Sequence, residues 1–245
     1  MATYQAVTTF SREGYLAYGK QFVDQWVDRW PIPLVVYHES QPEVTLHPNL
    51  EWRNLDYDSD RALFIAQHKD SPERVGTWKD PNSQSIRFCH KIFAITNAAK
   101  SCLKDWLIWI DADVTTNRPV YQSDLEKCLP ADASLSFLGR LRYKYTECGF
   151  IGYRVADPRV RAMLDDMRSY YSSGEIFTRP KSDWHDSRCF DICRSRSSIP
   201  KEQQHSMTPA ALPTTHVWQH SPLGAFSEHH KGPGRKQRTY GQVVP

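Results

Sequence analysis

Trp106-Leu107-Ile108-Trp109-Ile110-Asp111-Ala112-Asp113-Val114 is the stretch that decides the fold. Five consecutive apolar residues describe a strand covered on both faces, the kind found inside a parallel sheet. The carboxylates at its end must find cations, donors or water. In an open α/β sheet the ligand crevice lies beyond the carboxyl ends of the strands, which is where Asp111 and Asp113 would project. Side chains alternate along a strand, so residues two apart point the same way and can share one divalent ion. A polar strand-to-turn junction would use the same residue types.

Upstream, Tyr4 to Phe10 reads as a first strand and Ser11 as the N-cap of a helix. Tyr15, Tyr18, Phe22, Trp26 and Trp30 recur at helical steps, Pro31 and Pro33 stop the helix, and Leu34-Val35-Val36-Tyr37 forms a second strand. Strand-helix-strand predicts a right-handed parallel crossover. From Pro42 to Gln84 the sequence predicts a long irregular segment with one short strand near Glu51–Leu55. Ser83 to Ala99 reads as a helix with Phe88, Ile92, Ile95 and Ala99 on one face. Arg87 and Lys91 lie on another face, and neither has an acidic residue three or four positions away, so both are expected to be free cations.

Downstream, Thr115 to Pro119 reads as a turn, and a short helix over Asp124–Leu129 ends at Pro130. Leu135–Arg140 and Tyr145–Arg154 read as strands. Gly149 and Gly152 in the second mark a bulge or a close backbone approach. Asp157-Pro158 opens a helix that buries Val160, Met163, Leu164, Met167 and Tyr171 and ends before Gly174. Ser195 to Thr215 is expected to be a loop, and Thr215–Trp218 a last strand. The fold class is therefore α/β, one domain over residues 1–245 with a mainly parallel central sheet and an antiparallel addition.

A chain of 245 residues suits one such domain. No apolar run reaches the length of a membrane span, which excludes a helical membrane protein, and Met1-Ala2-Thr3-Tyr4-Gln5 carries no leader-like segment, so a soluble cytoplasmic protein is expected. The six cysteines have no framework spacing and read as reduced thiols. A formal net charge of +3 does not by itself announce a nucleic-acid partner.

His229-His230-Lys231-Gly232 lies in a segment that reads as too polar for the core. One imidazole added to two carboxylates suits Mn²⁺ or Mg²⁺ better than zinc. The apolar strand ending in Asp-x-Asp, with the late His-x-x-Gly, resembles the metal-dependent glycosyltransferases of the GT-A fold, glycogenin-like ones in particular. The resemblance implies a single GT-A-like, Rossmann-like domain. Residues 1–115 would form the nucleotide-sugar half, 116–228 the acceptor half and 229–245 a basic tail. Asp111, Asp113 and His229 would hold the metal on the diphosphate of a UDP-sugar, Asp113 as an exposed rim residue. Asp111 would also reach the ribose, and Gly232 and Arg235 would close the tail over the phosphates. It further implies that Thr8, Thr9 and Phe10 cradle the nucleoside, that Arg87 and Lys91 flank the phosphates or the donor sugar, and that Asp186 touches the sugar hydroxyls. Glu147, the polar residue before a glycine, would face the transferring sugar, although Glu-Cys-Gly stands where those enzymes have Asn-Ser-Gly or Asn-Thr-Gly. An ion pair of Glu147 with Arg140 or Arg142 remains the plainer alternative.

The activity implied is transfer of a hexose from a UDP-sugar to a hydroxyl group. Arg140, Arg142, Lys144, Lys231, Arg235, Lys236 and Arg238 make the chain similar to phage-type enzymes that glycosylate hydroxymethylated pyrimidines in DNA. That likeness implies a DNA partner and the cytoplasm of a phage's host. A glycan or protein acceptor is the alternative within the class, and a non-catalytic nucleotide-sugar or nucleic-acid binding module the alternative outside it. His185, Cys189 and Cys193, spaced by four, with His205 as a fourth ligand, form a candidate structural zinc set.

Overall fold

The computed structural model describes residues 1–39, 45–76, 84–140, 145–208 and 216–231. Strand β1 (Tyr4–Phe10) leads into a helical run made of α1 (Arg12–Gly14), a π-helical turn over Tyr15–Gly19 and α2 (Lys20–Arg29). Ser11 caps this run, its hydroxyl accepting from the Gly14 N–H at 3.1 Å. Strands β2 (Leu34–His38) and β3 (Leu50–Asn54) follow, then helices α3 (Ser59–His68), α4 (Pro72–Val75) and α5 (Ser85–Ser101). Strands β4 (Trp106–Ile110) and β5 (Val114–Thr116), helix α6 (Gln122–Cys128) and strands β6 (Leu135–Leu138) and β7 (Glu147–Tyr153) come next. Helices α7 (Pro158–Ser172) and α8 (Asp186–Arg196) and strands β8 (Gln204–Ser206) and β9 (Ser227–His229) complete the described elements.

Seven of these strands form one sheet in the order β3-β2-β1-β4-β7-β6-β8. Strands β3, β2, β1 and β4 pair in parallel, while β7 runs antiparallel to both β4 and β6. This is the expected mainly parallel sheet with an antiparallel addition. The central strand β4 is buried along its whole length. Leu107 and Trp109 enter the core shared with α5, α7 and α8, whereas Trp106, Ile108 and Ile110 enter the opposite core with Phe22, Trp26 and Trp30. Helices thus cover both faces, which is why the strand is apolar without alternation.

Four sequence expectations are corrected. The Pro42–Gln84 segment carries α3 and α4; Asp58 caps α3 by accepting from the Arg61 N–H, a local signal outside any long apolar period. Thr115 and Thr116 are in a strand, β5, which pairs antiparallel with β9 through Val114↔His229 and Thr116↔Ser227. The Ser195–Thr215 loop is largely structured within the described residues: α8 runs to Arg196, and β8 pairs in parallel with β6. Val217–His220 is a 3-10 turn rather than a strand. All six cysteines are buried free thiols, and no helix among the described residues is long and apolar enough to cross a membrane.

Candidate metal and donor site

Strands β1 and β4 are parallel neighbours, but the strand order reverses between them, β1 leading to β2 on one side and β4 joining the antiparallel half on the other, so the crevice opens beyond the ends of β1 and β4. Asp111 leaves β4 there, held by its main-chain N–H donating to the Gly149 carbonyl at 2.9 Å. Its carboxylate accepts from the Trp109 indole at 2.8 Å and from Lys91 Nζ at 3.0 Å. Asp113 precedes β5, and the β5–β9 ladder delivers the third group. His229 Nε2 lies 3.1 Å from Asp113 Oδ1 and 3.6 Å from Asp111 Oδ2, and one ligand atom from each of the three residues falls within 4.8 Å of the others.

Two expectations about burial are overturned here. His229 is 2% exposed, because the short ladder turns an otherwise polar segment inward against Trp218 and Gly149. Asp113 is 8% exposed and belongs to the floor of the crevice rather than its rim. Gly149 explains how the ring fits, since a Cβ there would stand 2.7 Å from His229 Cε1 and 2.9 Å from Nδ1. The buried Nδ1 has no hydrogen-bond partner among the described residues. Two carboxylates and one imidazole nitrogen converging at this spacing fit a hard, oxygen-preferring divalent ion.

Lys91 is not the free cation that the sequence predicts. Its ammonium bridges Asp111 at 3.0 Å and Asp186 at 2.8 Å and donates to the Cys148 carbonyl, partners supplied by β4, α8 and β7 across 20 to 95 residues of chain. Burial opposes its charge, yet Asp111 and Asp186 hold its pKa above the ordinary value. Asp186, at the start of α8, is shifted the opposite way: burial raises it, and Lys91 more than reverses that, leaving the carboxyl below its usual range. Arg87 is exposed and donates to Gln84 at 3.3 Å.

Glu147 opens β7 at 1% exposure and is ringed by cations. Lys231 Nζ donates to both of its oxygens at 2.8 and 2.7 Å, His216 Nε2 lies 3.5 Å away, and Arg140 makes an ion pair with it. The plainer alternative for Glu147 is therefore present, and Arg140, expected on a DNA phosphate, is spent within the protein. Glu147, His216 and His229 also converge within 4.8 Å, so this cluster adjoins the first.

The residues expected to cradle a nucleoside divide. Phe10 packs in an aromatic group, tilted against Tyr15 and edge-on to Trp52, and Thr9 donates its hydroxyl to the Tyr37 carbonyl at 2.8 Å. Thr8 is wholly enclosed, beneath the crevice surface. The proposed zinc set does not assemble: among the described residues, the groups that meet as metal ligands exclude His185, Cys189 and Cys193. His185 instead caps α8, its Nδ1 accepting from the Arg188 N–H. Arg142, Lys144, Gly232, Arg235, Lys236 and Arg238 lie outside the described residues.

Sequence reasoning missed Trp109 as a donor to Asp111, and His216 and Lys231 around Glu147. A tryptophan two residues before an aspartate shares its strand face, which is a usable signal. Contacts spanning 69 and 84 residues leave none.

No family model matches this chain, and no curated protein matches it. Among solved structures, the crystal structure of the galactosyltransferase LgtC in complex with donor and acceptor sugar analogues aligns over 98% of this chain and 97% of that one, with a TM-score of 0.54 and 12% identity. The chain therefore shares the GT-A fold.

Proposed function

We propose that this chain is a metal-dependent glycosyltransferase that moves a hexose from a UDP-sugar to a hydroxyl acceptor. The observation that carries the reading is the convergence of Asp111, Asp113 and His229 at the crevice beyond β4, in a fold shared with a galactosyltransferase. Bound there, Mn²⁺ or Mg²⁺ would offset the charge that builds on a departing nucleoside diphosphate. Asp111, Asp113 and His229 would hold the ion. Lys91 keeps Asp111 oriented, and Asp186, fixed by the same ammonium, presents its remaining acceptor capacity to sugar hydroxyls. Glu147, anchored by Lys231 and Arg140, would face the transferring sugar. Arg87, exposed at the start of α5, would meet the phosphates, with Gly232 and Arg235 of the tail beside them, and Thr9 and Phe10 would border the nucleoside over Thr8.

The reading is tested by release of free UDP from a panel of UDP-sugars, with Mn²⁺ and with chelator. Metal-dependent release that is lost in Asp113→Ala supports it. Tight UDP-sugar binding with no turnover on any acceptor would favour the non-catalytic binding module.

For the acceptor, the specific proposal is a hydroxymethylated pyrimidine of DNA, supported by the charge of Arg142, Lys144, Arg235, Lys236 and Arg238. Binding should then weaken with salt by a log–log slope of about one unit per phosphate contact. The engagement of Arg140 by Glu147 removes one of those cations and favours a glycan or protein acceptor as the second reading. Weak, salt-insensitive duplex binding would select it.

A further inference from the structure

Glu147 stands where the sheet gives it least support. The β6–β7 register passes from Leu138↔Glu147 directly to Phe137↔Ile151, so Cys148, Gly149 and Phe150 bulge against β6, and the β4 ladder reaches only as far as Ile110↔Phe150. A bulge re-aims a side chain, but it also interrupts the pairing that would hold the new direction. Other bonds take over that task. On the far side of Glu147, the Asp111 N–H donates to the Gly149 carbonyl at 2.9 Å and Lys91 donates to the Cys148 carbonyl.

On the near side stands Asp191 of α8, which has no part in the chemistry above. Its Oδ2 accepts from the Thr146 main-chain N–H at 3.0 Å and its Oδ1 from the Thr146 hydroxyl at 2.6 Å. A carboxylate only accepts, so both donors of the residue before Glu147 are committed to it. Asp191 is held in turn: Arg194 donates to Oδ1 at 3.1 Å and to Gln204 at 3.0 Å, and its guanidinium lies over the Phe137 ring at 4.7 Å. The side chain of Asp191 is 15% exposed and Thr146 is buried, so this is an interior tie rather than a solvated ion pair along the helix.

Helix α8 thus carries Asp186 at its start, tied to Lys91 at 2.8 Å, and Asp191 five residues and about 7.5 Å further along. The first meets the sugar hydroxyls in the reading above, and the second grips the neighbour of Glu147. The separation of the two sugar-facing carboxylates is therefore set through one rigid helix and not through the bulged strand. We propose that Asp191 is a positioning residue for Glu147, fixing through the two donors of Thr146 the direction in which that carboxylate meets the transferring sugar. The inference rests on the reading that Glu147 faces this sugar, and it deepens that reading. Without Asp191 the peptide before Glu147 can turn, while Lys231 and Arg140 still pull the carboxylate from the other side. A shift of about 1 Å at a reacting centre is enough to lower turnover by one to two orders of magnitude.

The test measures Mn²⁺-dependent release of UDP from UDP-glucose, UDP-galactose and UDP-N-acetylglucosamine, beside calorimetric binding of Mn²⁺–UDP, which carries no sugar for Glu147 to face. Asp191→Ala should lower release per folded molecule at least about tenfold and leave the affinity for UDP within about twofold of the wild type. Thr146→Val, which keeps the main-chain donor alone, should lose about threefold or more, and Thr146→Ser, which keeps both donors, should release UDP at close to the wild-type rate. In a Glu147→Gln background, Asp191→Ala should add little to the existing loss, because one residue acts through the other. A merely structural tie would lower stability with release per folded molecule unchanged, or give losses that multiply in the double variant; either result overturns the inference. If Asp191→Ala does not fold, the two Thr146 variants decide, and equal rates in the valine and the serine overturn it. A loss in Glu147→Gln with none in Asp191→Ala or Thr146→Val would strike the inference alone. Wild-type release by Glu147→Gln, or no release by the wild-type chain from any of the three sugars, would strike the reading of the site as well.

Discussion

Two carboxylate centres of this protein are built on opposite rules. At Asp58 every acceptor is matched: Arg168 donates to both oxygens at 2.9 Å, Asn97 to one at 2.6 Å and the Arg61 N–H to the other at 2.8 Å. This knot ties α3, α5 and α7 together, and it draws the Asp58 carboxyl below its usual range against the raising effect of burial. At Asp111 and Asp113 two carboxylates are gathered around one imidazole whose second nitrogen is buried with no partner among the described residues. A saturated knot holds helices in place. An anionic cluster that spends burial on like charges leaves work for a cation to do.

The sharpest way to break this contrast is to remove one carboxylate from each centre. Asp113→Ala should lower turnover at least about a hundredfold, since loss of a metal ligand exceeds the effects known for groups behind ligands. Its melting temperature should hardly change without metal, because like-charge repulsion is relieved as a hydrogen bond is lost. Asp58→Ala should do the reverse. Arg168 would keep Asp60 at 2.8 Å but lose its bidentate buried acceptor, and Asn97 and the α3 cap would lose theirs, which should cost about 1–3 kcal/mol in denaturant unfolding, with turnover per folded molecule intact. Similar stability losses in the two variants would erase the distinction between the centres.

Lys91 belongs to both kinds, being saturated like the Asp58 knot and placed like the metal cluster. Lys91→Met keeps the aliphatic stem but strands Asp111 and Asp186. The expected loss is about 2 kcal/mol of stability together with a fall in turnover that added Mn²⁺ only partly restores. A change in stability alone would make Lys91 structural.

The contrast also explains what the sequence could disclose. The apolar run of β4 fixed a central strand because burial on both faces writes itself as uninterrupted hydrophobicity, and its Asp-x-Asp marked the crevice because two carboxylates there have no core role. Asp186 and Glu147 were located by their neighbours in the chain. The partners were not legible. Lys91 looked free because helical spacing reports only neighbours on its own helix, whereas its counter-ions come from β4 and α8. His229 looked solvated because β5 and β9 are three residues each, too short to show a period, and meet across more than a hundred residues. The helix α3 went unread because it buries Arg61 beside Phe64, and a charged residue on the inner face leaves no apolar period.

A smaller perturbation separates the centres through backbone space alone. Gly149→Ala places a methyl 2.7 Å from His229 Cε1, where the ring already abuts Trp218, so the imidazole must move relative to Asp113. Mn²⁺ affinity measured by titration should fall about ten- to a hundredfold. Gly152→Ala, three residues on, clashes with Leu129 Cδ2 instead, and should cost about 1–3 kcal/mol of stability with the metal affinity unchanged. If the two alanines gave interchangeable phenotypes, His229 would not be held by that glycine.

The gentlest probe is acid, and its sign follows from the same accounting. Asp157 caps α7; hydrogen bonds from Arg159, which outweigh its burial, and one from Ser134 lower its carboxyl to about 2. Asp186 is also lowered, with burial opposing and Lys91 prevailing. A carboxyl whose folded pKa lies below its unfolded value adds stability that is complete above the unfolded value, near 4, and is lost as pH falls through the folded one. Stability should therefore decline between about pH 4 and pH 2 as these groups take up protons. Asp157→Asn should be less stable at neutral pH and show a shallower decline across that window, converging on the wild type at its acid end. Thermal melts at half-unit steps of pH would show this directly. A decline unchanged by Asp157→Asn would mean that the acid sensitivity resides in the carboxylates tied to Lys91 and Arg168, a result that Asp186→Asn would then have to reproduce.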